Sequence, residues 1–311
     1  MKNRPTLLLL LLGAIWGASF LFIKIGVSEM GPLTFAMLRV FIGSLGLLAA
    51  IRLSGLRIPT DRASWSRFAV MGLVGISLPF AAISWGTQYI PSGLSAILNA
   101  SMPLFTAVLA AVWGDERLTL RRVGGVIVGL SGILVLTLPS LQEGLLQGLA
   151  QTSLLGELAI VLASLSYAVA VVYARHYLIK QPPLIASLGQ VSTGWLFLLP
   201  FALMERPWMA LPAPRGLAAV VALGVFGTSL AYIIYHRLLQ TAGATATSLV
   251  TYIVPVFGVF WGWLILGERI GGNAFIALAL ILGGVVLVAR PGRPRPAESP
   301  TAPATCDLSR P

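Results

Sequence analysis

The chain has 311 residues, of which 57% are hydrophobic and only 10% are charged, with a mean hydropathy of +0.89 and a net charge of +11. A soluble domain carries about 25% charged residues, so this composition excludes a water-soluble globular protein and indicates one embedded in lipid. The basic residues stand singly or in pairs between apolar runs, which favours membrane topology over nucleic-acid binding as the source of the positive charge. The expected surroundings are therefore a lipid bilayer, with no nucleic acid among the partners.

Ten apolar stretches of about 20 residues are long enough to cross a hydrocarbon core of roughly 30 Å as α-helices. The first continues to about Val27, which is too long for the apolar region of a cleaved signal peptide, so we expect an uncleaved first helix. The segment 291–311 holds six prolines and almost no bulky apolar residue, which predicts a disordered cytoplasmic tail. The predicted spans cover residues 6–27, 32–53, 67–89, 92–113, 120–138, 154–176, 183–204, 215–238, 244–266 and 271–289.

The distribution of lysine and arginine predicts the orientation of these spans. With the N-terminus in the cytoplasm, sixteen basic residues fall in cytoplasmic segments and three on the opposite side, while Lys24 and Arg39 lie within spans. Cytoplasmic loops are enriched in basic residues, so this bias predicts both termini inside and an even number of spans in the inner membrane.

An internal repeat relates the two halves of the chain. A shift of 152 residues aligns Pro103 with Pro255 and Glu116 with Glu268, and a shift of 151 aligns the earlier helices, including Trp16 with Tyr167. Each half then holds five helices, and since five is odd, the second half enters the membrane from the opposite side. The sequence predicts an all-α integral membrane protein built from two inverted five-helix repeats, at residues 1–140 and 150–290. Such repeats place a substrate site near the membrane midplane in secondary transporters.

The two aligned prolines are candidate hinges. Proline lacks an N–H and displaces the carbonyl four residues earlier, which belongs to Asn99 for Pro103 and to Thr251 for Pro255. Unsatisfied carbonyls are costly in lipid, so each kink should face protein or a water-filled cavity. Asn99 and Thr251 are therefore candidate cavity residues, although both could instead bond neighbouring helices around simple bends.

Aromatic and charged side chains inside the spans supply the other candidates. Trp16, Tyr167, Trp195, Tyr232 and Tyr252 lie away from the span ends, where they form either a cavity wall or ordinary core packing. Three charged or titratable candidates remain: Lys24, Arg39 and His236. Lys24 and Arg39 either extend toward the interface or attract a carboxylate of the substrate. His236 either titrates near neutral pH or serves as a hydrogen-bonded spectator.

The acidic residues and the single cysteine restrict the chemistry. Every Asp or Glu falls near a predicted span end, in a loop or in the tail, so no carboxylate is expected at mid-membrane to exchange protons for a cationic drug. This favours a neutral, zwitterionic or anionic substrate. Cys306 has no second cysteine, and neither histidine has a partner at metal-ligand spacing, so we expect no metal, no cofactor and no enzymatic activity.

The motifs resemble one known family. "IWGASFLFIKIG" in the first span and the endings "GDERLT" and "LGERI" of the fourth and ninth spans are similar to the EamA branch of the drug/metabolite transporter superfamily. The resemblance covers residues 6–290. It implies a central cavity lined by helices 1, 3, 4, 6, 8 and 9, with helices 5 and 10 peripheral, and a function like that of family members that export amino acids or other metabolites.

The resulting hypothesis is an inner-membrane secondary transporter that exports or exchanges amino acids or similar small metabolites by alternating access. A multidrug efflux transporter of the same fold is the alternative. The expected partner is a small-molecule substrate, and the protein is expected to be a monomer or a homodimer.

Overall fold

A computed structural model describes residues 4–113, 119–147, 152–179, 181–209 and 212–289. These residues form ten helices that are long and apolar enough to cross a membrane, which confirms the predicted fold class. The Glu116–Arg117 pair and the predicted tail lie outside the described residues. The ten helices are α1 (Pro5–Val27), α2 (Pro32–Leu53), α3 (Arg62–Gly86), α4 (Ser92–Val112), α5 (Leu120–Leu145), α6 (Ser153–Tyr177), α7 (Pro183–Met204), α8 (Pro214–Gly243), α9 (Ala246–Leu266) and α10 (Gly272–Ala289).

Three helix boundaries differ from the predicted ones by five residues or more. Helix α3 begins at Arg62 because Asp61 caps it, accepting a hydrogen bond from the Ser64 backbone N–H. Helix α5 continues through Pro139, which had marked its predicted end. Helix α8 extends to Gly243, whose φ of 80° ends the helical conformation between α8 and α9.

Successive helices run in opposite directions, so the bundle has two faces. We call the end where α1 begins and α10 ends the terminal face, and the other end the distal face. Helices α2 and α4 begin at the distal face, and α1, α7 and α9 end there. The assignment of the terminal face to the cytoplasm stays a prediction from the basic residues.

Two crossings between the repeats are nearly identical, which demonstrates the internal symmetry at atomic level. In α3, Ser77 Oγ donates to the carbonyls of Gly72 and of Gly194 in α7, both at 2.9 Å. In α8, Ser229 Oγ donates to Gly224 at 3.2 Å and to Gly43 in α2 at 3.0 Å. These residues correspond under the repeat shifts of 151 and 152. We call the two contacts the paired crossings.

Both paired crossings are built on π-helical turns. Helix α3 contains the π segment Leu73–Ser77, and α8 contains the corresponding Leu223–Leu230. The wider turn lets each serine reach a carbonyl five residues back while it also bonds the neighbouring helix. Glycine is needed at Gly194 because a Cβ there would lie 2.5 Å from Ile76 Cγ2. The two repeats therefore interlock through close backbone contact.

The helices that contain the candidate hinges are not broken alike. Helix α4 stops at Asn99, turns at Ala100 and Ser101, and resumes at Met102, next to Pro103. Helix α9 is continuous from Val250 to Leu266 and contains Pro255 without a break. Helix α9 has a turn residue at Leu249, six residues before its proline, so the two helices are not interrupted at equivalent positions in this conformation. The hinge role of the two prolines stays a prediction.

The small-residue pairs in the spans contact other helices of the same chain. Gly13 and Gly17 of α1 face Ile253 and Phe257 of α9. Helices α5 and α10 pack together in the same way, with Gly125 against the Gly284 carbonyl. These motifs let neighbouring helices approach closely within the monomer.

Candidate functional site

Arg39 of α2 is the centre of the candidate site. Its side chain is only 8% exposed. The guanidinium carbon lies 4.2 Å from the centre of the Phe80 ring of α3, and Nε donates to Thr228 Oγ1 of α8 at 3.3 Å. The structure records no carboxylate partner for Arg39 among the described residues. Arg39 therefore does not extend to the membrane surface but stays inside the bundle as an unpaired cation, stabilised by a ring and a hydroxyl.

Three further side chains surround this cation. The ring of Tyr167 in α6 meets the Phe80 ring edge-on, with centroids 6.3 Å apart, and Tyr232 of α8 accepts a 3.5 Å contact from Gln190 Nε2 of α7. Both tyrosines lie within electrostatic range of Arg39. We call the set of six residues the central cluster: Arg39, Phe80, Tyr167, Gln190, Thr228 and Tyr232.

Four members of the central cluster are two pairs of repeat mates. Gln190 follows Arg39 by 151 residues, and Tyr232 follows Phe80 by 152, the shifts that relate the two halves. Arg39 contacts Phe80 and also lies within electrostatic range of its mate, Tyr232. In an inverted repeat, a residue and its mate lie at opposite depths, so a cluster that contains two pairs of mates is expected near the midplane.

A chain of ring contacts connects the central cluster to other candidates. Tyr232 stacks on His236 with centroids 6.2 Å apart, and His236 contacts Tyr235 at 5.5 Å. Tyr235 in turn contacts Trp16 of α1 at 5.7 Å. His236 Nε2 lies 2.7 Å from Ser187 Oγ of α7, whereas its Nδ1 is buried without a hydrogen-bond partner. The structure thus brings Tyr167 and Tyr232 together at Arg39 and joins Trp16 and His236 to them indirectly.

The remaining candidates lie near the break in α4 and on its repeat mate, α9. Ser164 Oγ of α6 lies 3.5 Å from the Asn99 carbonyl, which Pro103 leaves without its helical partner. The Asn99 side-chain oxygen is buried and has no hydrogen-bond partner. Thr251 is half-buried in α9, and the ring of Tyr252 packs against the apolar core beside it. Among the described residues, no hydrogen bond or ring contact joins Asn99, Thr251 or Tyr252 to the central cluster.

Lys24 has a structural contact at the distal face. Its ammonium donates to the carbonyls of Thr87, Gln88 and Ile90 at 2.8, 3.0 and 2.9 Å. These carbonyls belong to the C-terminal end of α3 and the following turn, where a cation is favoured. Its side chain is therefore engaged by the backbone in this conformation.

Two glutamates bind helix N-termini of the other repeat at the distal face. Glu268 accepts hydrogen bonds from the backbone N–H groups of Ser92 and Gly93 at 2.7 and 3.1 Å and from Ser92 Oγ at 3.0 Å. Glu205 accepts from the N–H groups of Leu33 and Thr34 at 3.0 and 2.8 Å and from Thr34 Oγ1 at 2.7 Å. We call Glu205 and Glu268 the distal latches, because they fasten α7 to α2 and α9 to α4.

One carboxylate is more deeply buried than its position in the sequence indicates. Glu157 lies four residues into α6 and is only 2% exposed. Ser140 Oγ of α5 donates to its Oε1 at 2.8 Å, while Oε2 has no partner. Within the described residues, no three His, Cys, Asp or Glu side chains lie close enough together to hold a metal ion.

The family model for EamA-like transporters matches the chain twice, over residues 4–138 and 154–290. The chain belongs to the EamA-like transporter family. Since this family has a two-repeat fold, the match agrees with the paired crossings and with the symmetry of the central cluster. This EamA-family protein is a membrane transporter of small molecules and not an enzyme.

Similar proteins agree with this assignment. An "Uncharacterized transporter" of Archaeoglobus fulgidus is 28% identical and is aligned over 93% of this chain and 96% of its own. The "Uncharacterized inner membrane transporter YedA" of Escherichia coli is 28% identical, with 95% and 94% aligned. A solved structure that is 20% identical has a TM-score of 0.63 over 93% of this chain and 98% of its own, which shows the fold alone. The apolar helices and the relative YedA support a multi-pass protein of the inner membrane.

Phe80, Gln190 and Thr228 were not among the sequence candidates for this EamA-family chain. The repeat shift offered a signal for two of them, because Gln190 is the mate of Arg39 and Phe80 the mate of Tyr232. The central cluster also includes residues of α2 and α7, Arg39 and Gln190, and these two helices are not among the cavity-lining helices that the resemblance implied.

Proposed function

We propose that this protein exports amino acids or similar small metabolites across the inner membrane by alternating access, with the central cluster as its substrate site. The observation that carries the proposal is the cation Arg39, which has no carboxylate partner among the described residues and lies near aromatic side chains of both repeats, Phe80 and Tyr232. A substrate held at this point contacts both repeats equally, so a relative rotation of the repeats transfers it from one face to the other.

The difference between the mated helices α4 and α9 supports the conformational part of the proposal. An inverted-repeat transporter changes its open side when each repeat takes the conformation of the other. Here α4 is broken beside Pro103 while α9 is continuous through Pro255. The two distal latches join the repeats at one face, so we assign this conformation to a state that is closed on the distal side.

The first test is transport by the purified protein in liposomes, with a panel of amino acids and small carboxylic, neutral and cationic metabolites. Concentrative or exchange flux of amino acids is the expected result. No flux of any member removes the metabolite proposal. Flux of unrelated lipophilic compounds alone, or resistance to them in expressing cells, would favour the drug-efflux alternative, which the unpaired Arg39 disfavours for cationic drugs.

The hinge role is tested by Pro103→Ala and Pro255→Ala in the same assay. Alanine at position 103 restores an N–H that can bond the Asn99 carbonyl, which favours a continuous α4. We expect the turnover of either variant to fall by about tenfold, equivalent to about 1.4 kcal/mol, because each opposes one of the two states. Unchanged rates for both variants would exclude the hinge role.

A further inference from the structure

Arg39 has one edge that no described residue uses. Its Nε bonds Thr228 and one face lies over Phe80, but neither Nη nitrogen has a hydrogen-bond partner among the described residues. Neither Nη nitrogen belongs to the fully buried atoms that lack a partner, so the exposed 8% of the residue includes this edge. The edge therefore borders space that a water molecule can reach.

The chemistry of a guanidinium edge determines what can occupy that space. The cation–π contact engages the face of the planar group and leaves the in-plane N–H donors free. Two parallel N–H donors fit the two oxygens of a carboxylate, and an uncompensated cation in a low-dielectric interior strongly favours an anion. Tyr167 and Tyr232 add hydroxyl groups and ring surface near Arg39.

The acidic residues do not compete for this cation. Within the ten described spans the acidic residues are Glu143 and Glu157, both near the distal ends of α5 and α6. Glu157 bonds Ser140 of α5 and not the central cluster. The site thus offers a binding group for a carboxylate, whereas the central cluster contains no acid that would pair with an ammonium group.

Resting on the proposed function, we infer that the transported substrates carry a carboxylate that binds the Nη edge of Arg39, next to an apolar or aromatic group that packs on Phe80, Tyr167 and Tyr232. The carboxylate is the required group. An α-ammonium group on the substrate is tolerated, but no residue of the site binds it. The site therefore binds simple aryl-substituted monocarboxylates in addition to amino acids.

The test measures ligand-induced thermal stabilisation of the purified full-length protein in detergent, since a ligand that binds the folded state raises its apparent stability. The probes are 3-phenylpropionate, L-phenylalanine and L-phenylalaninamide at equal millimolar concentrations, with chloride as the salt control. Both carboxylates should stabilise the protein and the amide should not. Equal stabilisation by the amide, or none by either carboxylate, overturns the inference.

Two substitutions at Arg39 separate recognition from folding. Arg39→Gln should weaken carboxylate binding by about 10- to 100-fold, the loss expected for a charged hydrogen-bond donor, and Arg39→Lys should have an intermediate effect because it keeps the charge without the fork. If Arg39→Gln does not fold, the wild-type protein is used instead. Phenylglyoxal modifies accessible arginines, and peptide mass spectrometry measures whether a ligand protects Arg39 from this modification. Protection by 3-phenylpropionate and not by the amide supports the inference, and modification unaffected by either probe contradicts it.

The same probes distinguish this inference from the proposed function. Equal flux of L-phenylalanine and its amide into liposomes would leave the transporter proposal intact and refute carboxylate recognition. Carboxylate-specific binding without flux of any substrate would support the site and refute the transport proposal.

Discussion

Neutralising a distal latch should open the distal face. In Glu268→Gln the side chain keeps its size but loses its charge, so three hydrogen bonds to the N-terminus of α4 weaken and the nearby Lys24 loses an electrostatic partner. Loss of an N-cap side chain costs about 0.5–2 kcal/mol. In the proposed mechanism the latch forms only when the distal face is closed, so about 1–2 kcal/mol would be lost from that state alone. The ratio of open to closed molecules should rise by about 5- to 30-fold.

Ser95 provides the position at which to measure this change. It is fully buried one turn below the latch, with its Oγ 3.2 Å from Thr87 Oγ1. In a Cys306→Ser background, Ser95→Cys gives the chain a single thiol, and the rate of its reaction with a membrane-impermeant maleimide reports distal opening. Glu268→Gln should raise this rate by about the same 5- to 30-fold.

Glu29→Gln is the matched control. Glu29 lies at the same face, and its carboxylate makes no hydrogen bond or ion pair to a described residue. This variant should label at the parental rate. If Glu268→Gln also labels at the parental rate, the latch does not hold the closed state, and the assignment of this conformation as distally closed is wrong.

Three other predictions follow from contacts described above. Gly194→Ala should destabilise the protein by about 1–3 kcal/mol through overpacking against Ile76, whereas Gly283→Ala, with open space around the added methyl, should be neutral or slightly stabilising in thermal unfolding. The double variant Arg39→Gln, Gln190→Arg moves the cation to its mate and should recover part of the carboxylate stabilisation lost in Arg39→Gln; no recovery would contradict the symmetry of the site. The Ser64 N–H holds the pKa of Asp61 below its usual value. This cap is therefore present above about pH 4 and is lost as the pH falls through the lowered pKa. Amide exchange in the first turn of α3 should accelerate in that range, and Asp61→Asn should remove the pH dependence.

The sequence was sufficient for the membrane helices and the repeat, because both depend on local composition and on rare residues in register. Ten apolar runs predicted ten helices, and the repeat shifts of 151 and 152 pair Arg39 with Gln190 and Phe80 with Tyr232 in the central cluster. Arg39 could be recognised as a candidate because charge is rare inside a span.

Other features depend on tertiary contacts that no local pattern encodes. Pro103 and Pro255 are aligned by the repeat shift, yet the interruption in α4 lies directly before Pro103. In α9 the turn residue Leu249 lies six residues before Pro255, and the sequence alone does not indicate this difference. Lys24 could be identified as a charge within a span, but the carbonyls that it binds, in the turn after α3, lie more than 60 residues away in the chain. Glu157 was assigned to a helix end, and its burial results from the packing of α5 against α6.

The paired crossings have a consequence for how the molecule would move. If the two repeats exchange conformations, Ser77 with Gly194 takes the place of Ser229 with Gly43, and the hydrogen bonds are the same before and after. Contacts that are unchanged by the exchange oppose neither state. The paired crossings would therefore act as a fixed axis of rotation between the repeats. The free-energy difference between the states would arise at the break in α4 and at the distal latches. At the position equivalent to Glu205 the other repeat has Ser54, which has no carboxylate. The latch that Glu205 makes at the distal face therefore has no equivalent carboxylate at the terminal face.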